Sequence, residues 1–497
     1  MVNTNYKPRN EMSAEDIASK LWGLCNLLRD DGVTYHQYLN ELTYILFLRL
    51  SELKKFEDDI PEEYRWGKLT AITDNKDLFD TYRELLATIS AKSDNAAVKE
   101  IYTNASTTLR KPVNLKSLIT SINNLNWYDE HEQDKLATIY EELLEKNAGE
   151  KKSGAGQYFT PRPLINVMVE LLAPRLGERW NDPAAGTFGF LIAADQYLRQ
   201  KTDDYFDLDS TQRDFQVNEA FSGCELVQDA HRLALMNAKL HGLESPIYLG
   251  DTLSELGKSF RNYDGVLANP PFGTKQGGER PSRDDLTYLS SNKQLNFLQH
   301  IYRSLHKRGG ARAAVVLPDN VLFEDGDGRK IRRDLMDKCN LHTILRLPTG
   351  IFYAAGVKTN VLFFERGSGE TGNTQQVWFY DMRTNAPNYG KRTPFTRNAF
   401  ADFVRAYTGG IDLADLSDDY DGTIDPAKRA TVTDERFSCL TRDQITAKND
   451  SLDLGLIADD SHATGADDAE PLDIAREAAN ELKAMHLELE KIIELLG

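Results

Sequence analysis

Asn269-Pro270-Pro271-Phe272 stands directly after the apolar run Val266-Leu267-Ala268. Proline has no backbone N–H to give to a sheet ladder, so a strand ending in Ala268 must stop there. Two consecutive prolines hold the next residues in a rigid loop at the strand's carboxyl end, which in open α/β sheets is where ligands bind. Such a loop aims the side-chain amide oxygen of Asn269 and the backbone carbonyl of Pro270 at one point. Two converging acceptors suit an amino group whose lone pair must be freed to attack an electrophile, and the ring of Phe272 can stack on a planar base. Asn-Pro also starts ordinary turns, so the weight of this reading rests on its companions.

The first companion is Asp182-Pro183-Ala184-Ala185-Gly186-Thr187-Phe188-Gly189-Phe190-Leu191, at an expected strand-to-helix junction. Gly186 and Gly189 permit close backbone approach of a cofactor, with Thr187 and Phe188 between them, and Asp182 can pair with an ammonium group. Glu225 ends the run Ser222-Gly223-Cys224, and an acid at the end of a second strand, well after a glycine loop, can hold ribose hydroxyls. Leu249-Gly250-Asp251 puts a third acid at a third strand end, where an adenine amino group can be read. Upstream of all of these, Gln157-Tyr158-Phe159-Thr160-Pro161-Arg162 contains a good N-cap and first-turn pair in Thr160 and Pro161. That helix amino end, with Tyr158 and Phe159 just outside it, can grip a cofactor's carboxylate and adenine. Singly, these features read as loop acids, a tight turn and a capped helix; three acids at successive strand ends are harder to dismiss. Gly257-Lys258-Ser259 resembles the end of a phosphate-binding loop, but Thr252 stands where that motif requires glycine, which removes an ATPase reading.

Composition narrows the field. The chain has 497 residues, roughly three domains at about 150 residues each. With 59 Lys plus Arg against 77 Asp plus Glu and a formal charge of −18, it is not a protein that coats nucleic acid by itself, because neutralising phosphates needs a basic surface. The excess is uneven: residues 441–497 hold 14 acidic and 5 basic side chains, so the rest of the chain is closer to balance and can approach DNA. Cys25, Cys224, Cys339 and Cys439 are far apart with no zinc spacing, so neither disulfides nor a metal is expected and a reducing compartment fits. Lacking an 18-residue apolar run or an apolar leader, the chain reads as soluble and cytoplasmic, with no membrane partner.

The elements that must position these residues follow from patterning. Residues 1–150 read as a helical domain: a capped helix from Ser13, a largely buried helix over Tyr35–Leu53, and further pieces near Leu78–Ile89 and Glu130–Lys146. After the Gly/Lys/Ser stretch at 149–156, β-rich runs alternate with helices, the signature of a doubly wound α/β sheet. Expected strands are Gly223–Leu226, Pro246–Leu249, Gly265–Ala268, Ala313–Leu317, Thr343–Leu347 and Asn360–Phe364, with helices at Pro161–Leu172, Val227–His241 and Gln294–His306. This gives an α/β catalytic domain over 151–395 and an irregular acidic region over 396–470. A C-terminal helix follows over 471–497, where Ala475, Ala478, Leu482, Met485, Leu489, Ile492 and Leu496 form an a/d seam suited to packing on another helix.

In the order QYFTPR, DPAAGTFGFL, GCEL, LGD and ANPPF, with LPDNVLF (317–323) and LPTGIFYAAGVKTNVLFFE (347–365) following, the chain resembles the adenine-specific DNA methyltransferases. In particular it resembles the modification (M) subunits of type I restriction–modification systems, over roughly residues 10–370 plus the C-terminal helix. The resemblance implies a Rossmann-like methyltransferase sheet, S-adenosylmethionine as methyl donor, and transfer to N6 of adenine in double-stranded DNA. It implies a catalytic loop of Asn269, Pro270, Pro271 and Phe272. It implies a cofactor site lined by Gln157, Tyr158, Phe159, Thr160, Pro161, Arg162, Asp182, Gly186, Thr187, Phe188, Gly189, Glu225 and Asp251. Implied partners are a specificity (S) subunit that reads the DNA sequence, a second M subunit and a restriction (R) subunit. One departure stands out: Phe188 occupies a position where such proteins usually carry a small residue, which bears on loop conformation and pocket width.

Overall fold

A computed structural model describes residues 14–24, 35–125, 127, 133–148, 160–272, 281, 283–352, 357–384, 386, 387, 389 and 393–454. The expected C-terminal helix, the 149–156 connection, and Gln157, Tyr158 and Phe159 lie outside the described residues. The described residues of 14–383 and 387–453 form one compact unit.

Among the described residues, nine strands build one sheet in the order β3-β2-β1-β4-β5-β7-β6-β8-β9. They are β1 (Trp180–Asp182), β2 (Phe221–Glu225), β3 (Ile247–Leu249), β4 (Gly265–Ala268), β5 (Arg312–Pro318), β6 (Cys339–Arg346), β7 (Thr359–Arg366), β8 (Gln376–Asp381) and β9 (Phe437–Thr441). β1 to β5 pair in parallel, and β7 is antiparallel to both β5 and β6. The sequence explains the buried centre. Val266, Leu267 and Ala268 of β4, and Ala313 to Leu317 of β5, are fully buried, the near-continuous apolar runs expected of strands covered on both faces. The chain leaves β1 toward β2 on one side and reaches β4 on the other, so the carboxyl ends of β1 and β4 flank the switch point where such sheets bind ligands.

Two regions differ from the sequence reading. β1, expected only as a strand ending near Asp182, has no extent readable in the sequence, because three residues of Trp, Asn and Asp carry no apolar alternation; its place is fixed by neighbours instead. A Cβ at Gly265 would lie 2.3 Å from the Trp180 ring, so only glycine lets β4 pass beside that indole. The region over 396–470, expected to be irregular, carries β9 and a helix at Ala401–Thr408, and β8, absent from the expected strands, precedes it. β8 joins β6 in parallel and β9 closes on β8 antiparallel. Arg429 is buried beneath Tyr407, with its guanidinium 5.2 Å from that ring, and donates to Thr343 Oγ1 of β6 at 2.7 Å. The local signal is the aromatic run Trp378-Phe379-Tyr380, strand-favouring residues set in polar surroundings.

The helical region comprises α1 (Ala14–Gly23), α2 (Tyr35–Leu53), α3 (Asn75–Lys92), α4 (Pro112–Asn123) and α5 (Gln133–Ala148), with short helical turns between. α2 matches the expected span to the residue. Within it Glu41 is buried, and its carboxylate accepts from Tyr82 Oη at 2.7 Å, Thr107 Oγ1 at 2.8 Å and the Thr108 amide at 2.9 Å. The sheet contributes α6 (Arg162–Leu172), α7 (Gly189–Lys201), α8 (Gln228–Leu240) and α9 (Lys293–Ser304). The helical region seats on α8. Buried Arg232 donates to the Ile101 carbonyl at 2.6 Å and the Thr103 carbonyl at 3.1 Å, while stacking over Tyr44 at 5.0 Å.

Candidate active site

A cavity of about 270 Å³ opens at the carboxyl ends of β1, β2 and β4, lined among others by Asp182, Thr187, Glu225, Asp251, Asn269 and Phe272. Each comes from the end of a strand or the first turn after it, because strand carboxyl ends and helix amino ends meet there in a doubly wound sheet.

Asn269 is the geometric focus. Its Nδ2 donates to Thr160 Oγ1 at 3.0 Å, which fixes the orientation of the amide and leaves Oδ1 as the free acceptor. Oδ1 is buried and has no hydrogen-bond partner, an arrangement that costs about 1–3 kcal/mol unless a donor arrives. The loop is clamped from behind, where Gln294 at the start of α9 donates to the Pro271 carbonyl at 2.9 Å. Phe272 is half-buried, and Phe352 meets its ring edge-on at 6.3 Å and 79°. Pro270 is buried beneath the loop and does not line the cavity.

The Thr160 side chain is therefore not the expected N-cap. α6 begins at Arg162 with Pro161 in the cap position and no side-chain capping bond, because the Thr160 hydroxyl is turned toward Asn269. Pro161 does not line the cavity either, whereas Thr160 and Arg162 do.

The glycine loop is pinned by the second-strand acid. Glu225 Oε2 accepts from the Gly186 amide at 2.9 Å and Oε1 from the Val227 amide at 2.8 Å. Burial raises the carboxyl pKa of Glu225, opposed by these amides. Gly186 has φ of +52°, a conformation that glycine adopts without penalty. Phe188 also has positive φ, +65°, and its ring does not enter the cavity. It is fully buried beneath the loop, against the place where a Cβ on Gly223 would come within 2.9 Å of Cε2. The large residue thus takes no part in lining the pocket, and Gly223 makes the room for it. Asp182 accepts from the Ala184 amide at 3.0 Å; burial pushes its carboxyl up to about 8, with Glu225 adding to the rise. Asp251 Oδ1 accepts from the Leu253 amide at 2.8 Å.

Residues not singled out in the sequence complete the walls: Glu141 and Leu144 of α5, Asn237 of α8, and Lys293 and Phe297 of α9. Asn237 Nδ2 donates to the Thr187 carbonyl at 3.0 Å, and its Oδ1 is buried without a partner. Nothing local marks these residues, since each is one polar or apolar position on an ordinary amphipathic helix. The donor set suits a ligand carrying an adenine, a ribose and an amino acid: acids at two strand ends retain lone pairs for hydroxyl and amino donors, and Leu226 and Leu253 supply apolar walls. Among the described residues there is no cluster of His, Cys, Asp and Glu that could hold a metal ion. Nor is any described helix long and apolar enough to cross a membrane.

A mixed sheet with this cleft at its parallel half, a glycine loop after β1 and Asn-Pro-Pro-Phe after β4 define a methyltransferase that acts on an amino nitrogen. The N-6 DNA methylase family matches residues 131–448, and the HsdM N-terminal domain matches residues 17–122. The methylase subunit of the type I restriction enzyme EcoKI from Escherichia coli K12 is 44% identical over 98% of this chain and 96% of its own. The crystal structure of the EcoKI M protein superposes with a TM-score of 0.56 at 40% identity, covering 97% of this chain and 96% of that one. A structure described as the basis of complex assembly and conformational transition of the type I R-M system gives 0.72 at 26% identity, covering 98% and 99%. The chain belongs to the N-6 DNA methylases, as a methylase subunit of the type I restriction enzymes.

Proposed function

We propose that this chain transfers a methyl group from S-adenosylmethionine to N6 of adenine in double-stranded DNA whose sequence a separate specificity subunit reads. The observation that carries the chemistry is Asn269, a cavity-lining residue locked by Thr160 with its side-chain oxygen buried and partnerless. When bound, the cofactor supplies an electrophilic methyl on a sulfonium. The target adenine leaves the duplex, which costs a few kcal/mol that stacking on Phe272 helps offset. Asn269 Oδ1 accepts an N6 hydrogen and turns the nitrogen lone pair toward the methyl. An amide is not a general base, so the protein's contribution is position and oriented dipoles, and the proton departs after attack. Glu225 takes the ribose hydroxyls, Asp251 the adenine amino group, and Arg162 with the glycine loop the amino-acid end; Gln157, Tyr158 and Phe159 belong to the same site.

The formal charge of −18 and the use of the described residues of 160–453 by helices and sheet support a division of labour in which an S subunit supplies sequence readout. A second M subunit, an R subunit, contact surfaces on the helical region and the 471–497 helix, and a cytoplasmic location belong to the same reading. The test is methyl transfer from labelled S-adenosylmethionine to DNA, with and without a co-expressed S subunit, followed by nucleoside mass spectrometry. N6-methyladenine that appears only with the S subunit is expected. Methylcytosine would overturn the target, and product without the S subunit would overturn the division of labour.

A further inference from the structure

We propose that Glu141, on α5 of the helical region, is a binding residue for the amino-acid end of the methyl donor, taking its α-ammonium beside Arg162, which takes the carboxylate. The proposal rests on the reading of the cleft as a cofactor site. A free amino-acid moiety is a zwitterion, and a cavity that binds one needs a cation and an anion side by side. Arg162 and Glu141 form an ion pair and both line the cavity. Arg162 stands two residues from Thr160, whose hydroxyl holds Asn269, and all three line the same cavity.

The lone pairs of Glu141 are distributed for a further donor. Arg162 Nη2 and His241 Nε2, the latter at 3.1 Å, both contact Oε1, which leaves Oε2 for an ammonium hydrogen. His241, just past α8, is oriented in turn by Gln196 at 3.3 Å, so the carboxylate is braced from the sheet side although it is carried by the helical region. Asp182 is less accessible to an ammonium group, being 1% exposed and already accepting from the Ala184 amide, whereas the Glu141 side chain is 17% exposed. It follows that the catalytic sheet does not hold the whole cofactor site, and that the seating of α5 sets cofactor affinity.

The experiment is calorimetric titration of the full chain with S-adenosylhomocysteine and with 5′-methylthioadenosine, which keeps adenine, ribose and sulfur but lacks the amino acid. For Glu141→Gln, which keeps shape and loses charge, S-adenosylhomocysteine affinity is expected to fall about 10- to 100-fold, the range for a charged hydrogen bond. Methylthioadenosine affinity is expected to stay within about twofold. Glu141→Asp, which keeps the charge one methylene back, should recover part of the loss. Equal weakening of both ligands would mean that Glu141 only holds α5 in place, and unchanged affinity for both would remove it from the site; either overturns the proposal. Failure of the unaltered chain to bind either ligand would instead overturn the cofactor reading itself.

Discussion

Glu41 and Asn269 are both polar side chains set into apolar surroundings, and the molecule treats them in opposite ways. Glu41 is surrounded by donors from Tyr82, Thr107 and Thr108, all supplied by the helical region itself. Asn269 has one end of its amide tied to Thr160 and the other left buried and unpaired. A fully satisfied buried group contributes to structure, because removing it strands its partners. An oriented but unsatisfied group is held for something that arrives later, and its cost in the free protein becomes useful when the missing donor binds. The same chemistry thus separates a scaffold element from a catalytic one.

The largest expected effect comes from removing the unsatisfied group. Asn269→Ala should lower methyl transfer by about 10²- to 10³-fold, the loss seen when an oriented group acting on the reacting atoms is deleted, while cofactor affinity by calorimetry stays within about twofold. Wild-type transfer by this variant would break the contrast outright.

Glu41→Ala should do the reverse, with a loss of about 3 kcal/mol of unfolding free energy as Tyr82, Thr107 and Thr108 lose their acceptor. Denaturant unfolding measures the loss, and folded protein should keep its cofactor affinity. A stable Glu41→Ala protein with poor cofactor binding would show that the helical acid is not merely structural.

Thr160 lies between the two cases, since it touches Asn269 and serves to orient it. Thr160→Ala should lower kcat about 10- to 100-fold by letting the amide rotate, and Thr160→Ser, which keeps the hydroxyl, should restore most of it. Single-turnover kinetics separates this effect from cofactor binding.

The smallest effect concerns Asp182, whose carboxyl is pushed up to about 8 by burial and is therefore largely protonated in the free protein at pH 7. A cationic ligand in the same cleft favours the ionised form, so binding should release protons near pH 7. By linkage, affinity should then rise as pH increases through 8 and level off above it, a change of about fivefold between pH 7 and pH 8. Calorimetry in buffers of different ionisation enthalpy detects the release, which Asp182→Asn should abolish.

Much of this was legible without coordinates because it depends on local chemistry. Paired prolines end β4 wherever the strand lies, an apolar run of the right length becomes a buried parallel strand, and α2 is readable from its composition alone. Acids at the ends of β2 and β3 follow once the alternation of strands and helices is recognised. What tertiary structure alone decided are contacts between residues far apart in sequence. Thr160 has the local signature of a helix cap, but a partner 109 positions away claims its hydroxyl. Phe188 suggests a changed pocket until Gly223, on another strand, is seen to make room for it beneath the loop. Glu141 carries no signal of its own; only the seating of the helical region on α8 brings it to the cleft beside Arg162. Sequence sets what each segment can form and which chemistry it can offer, while the competition of distant partners for each polar atom is settled only when the chain is packed.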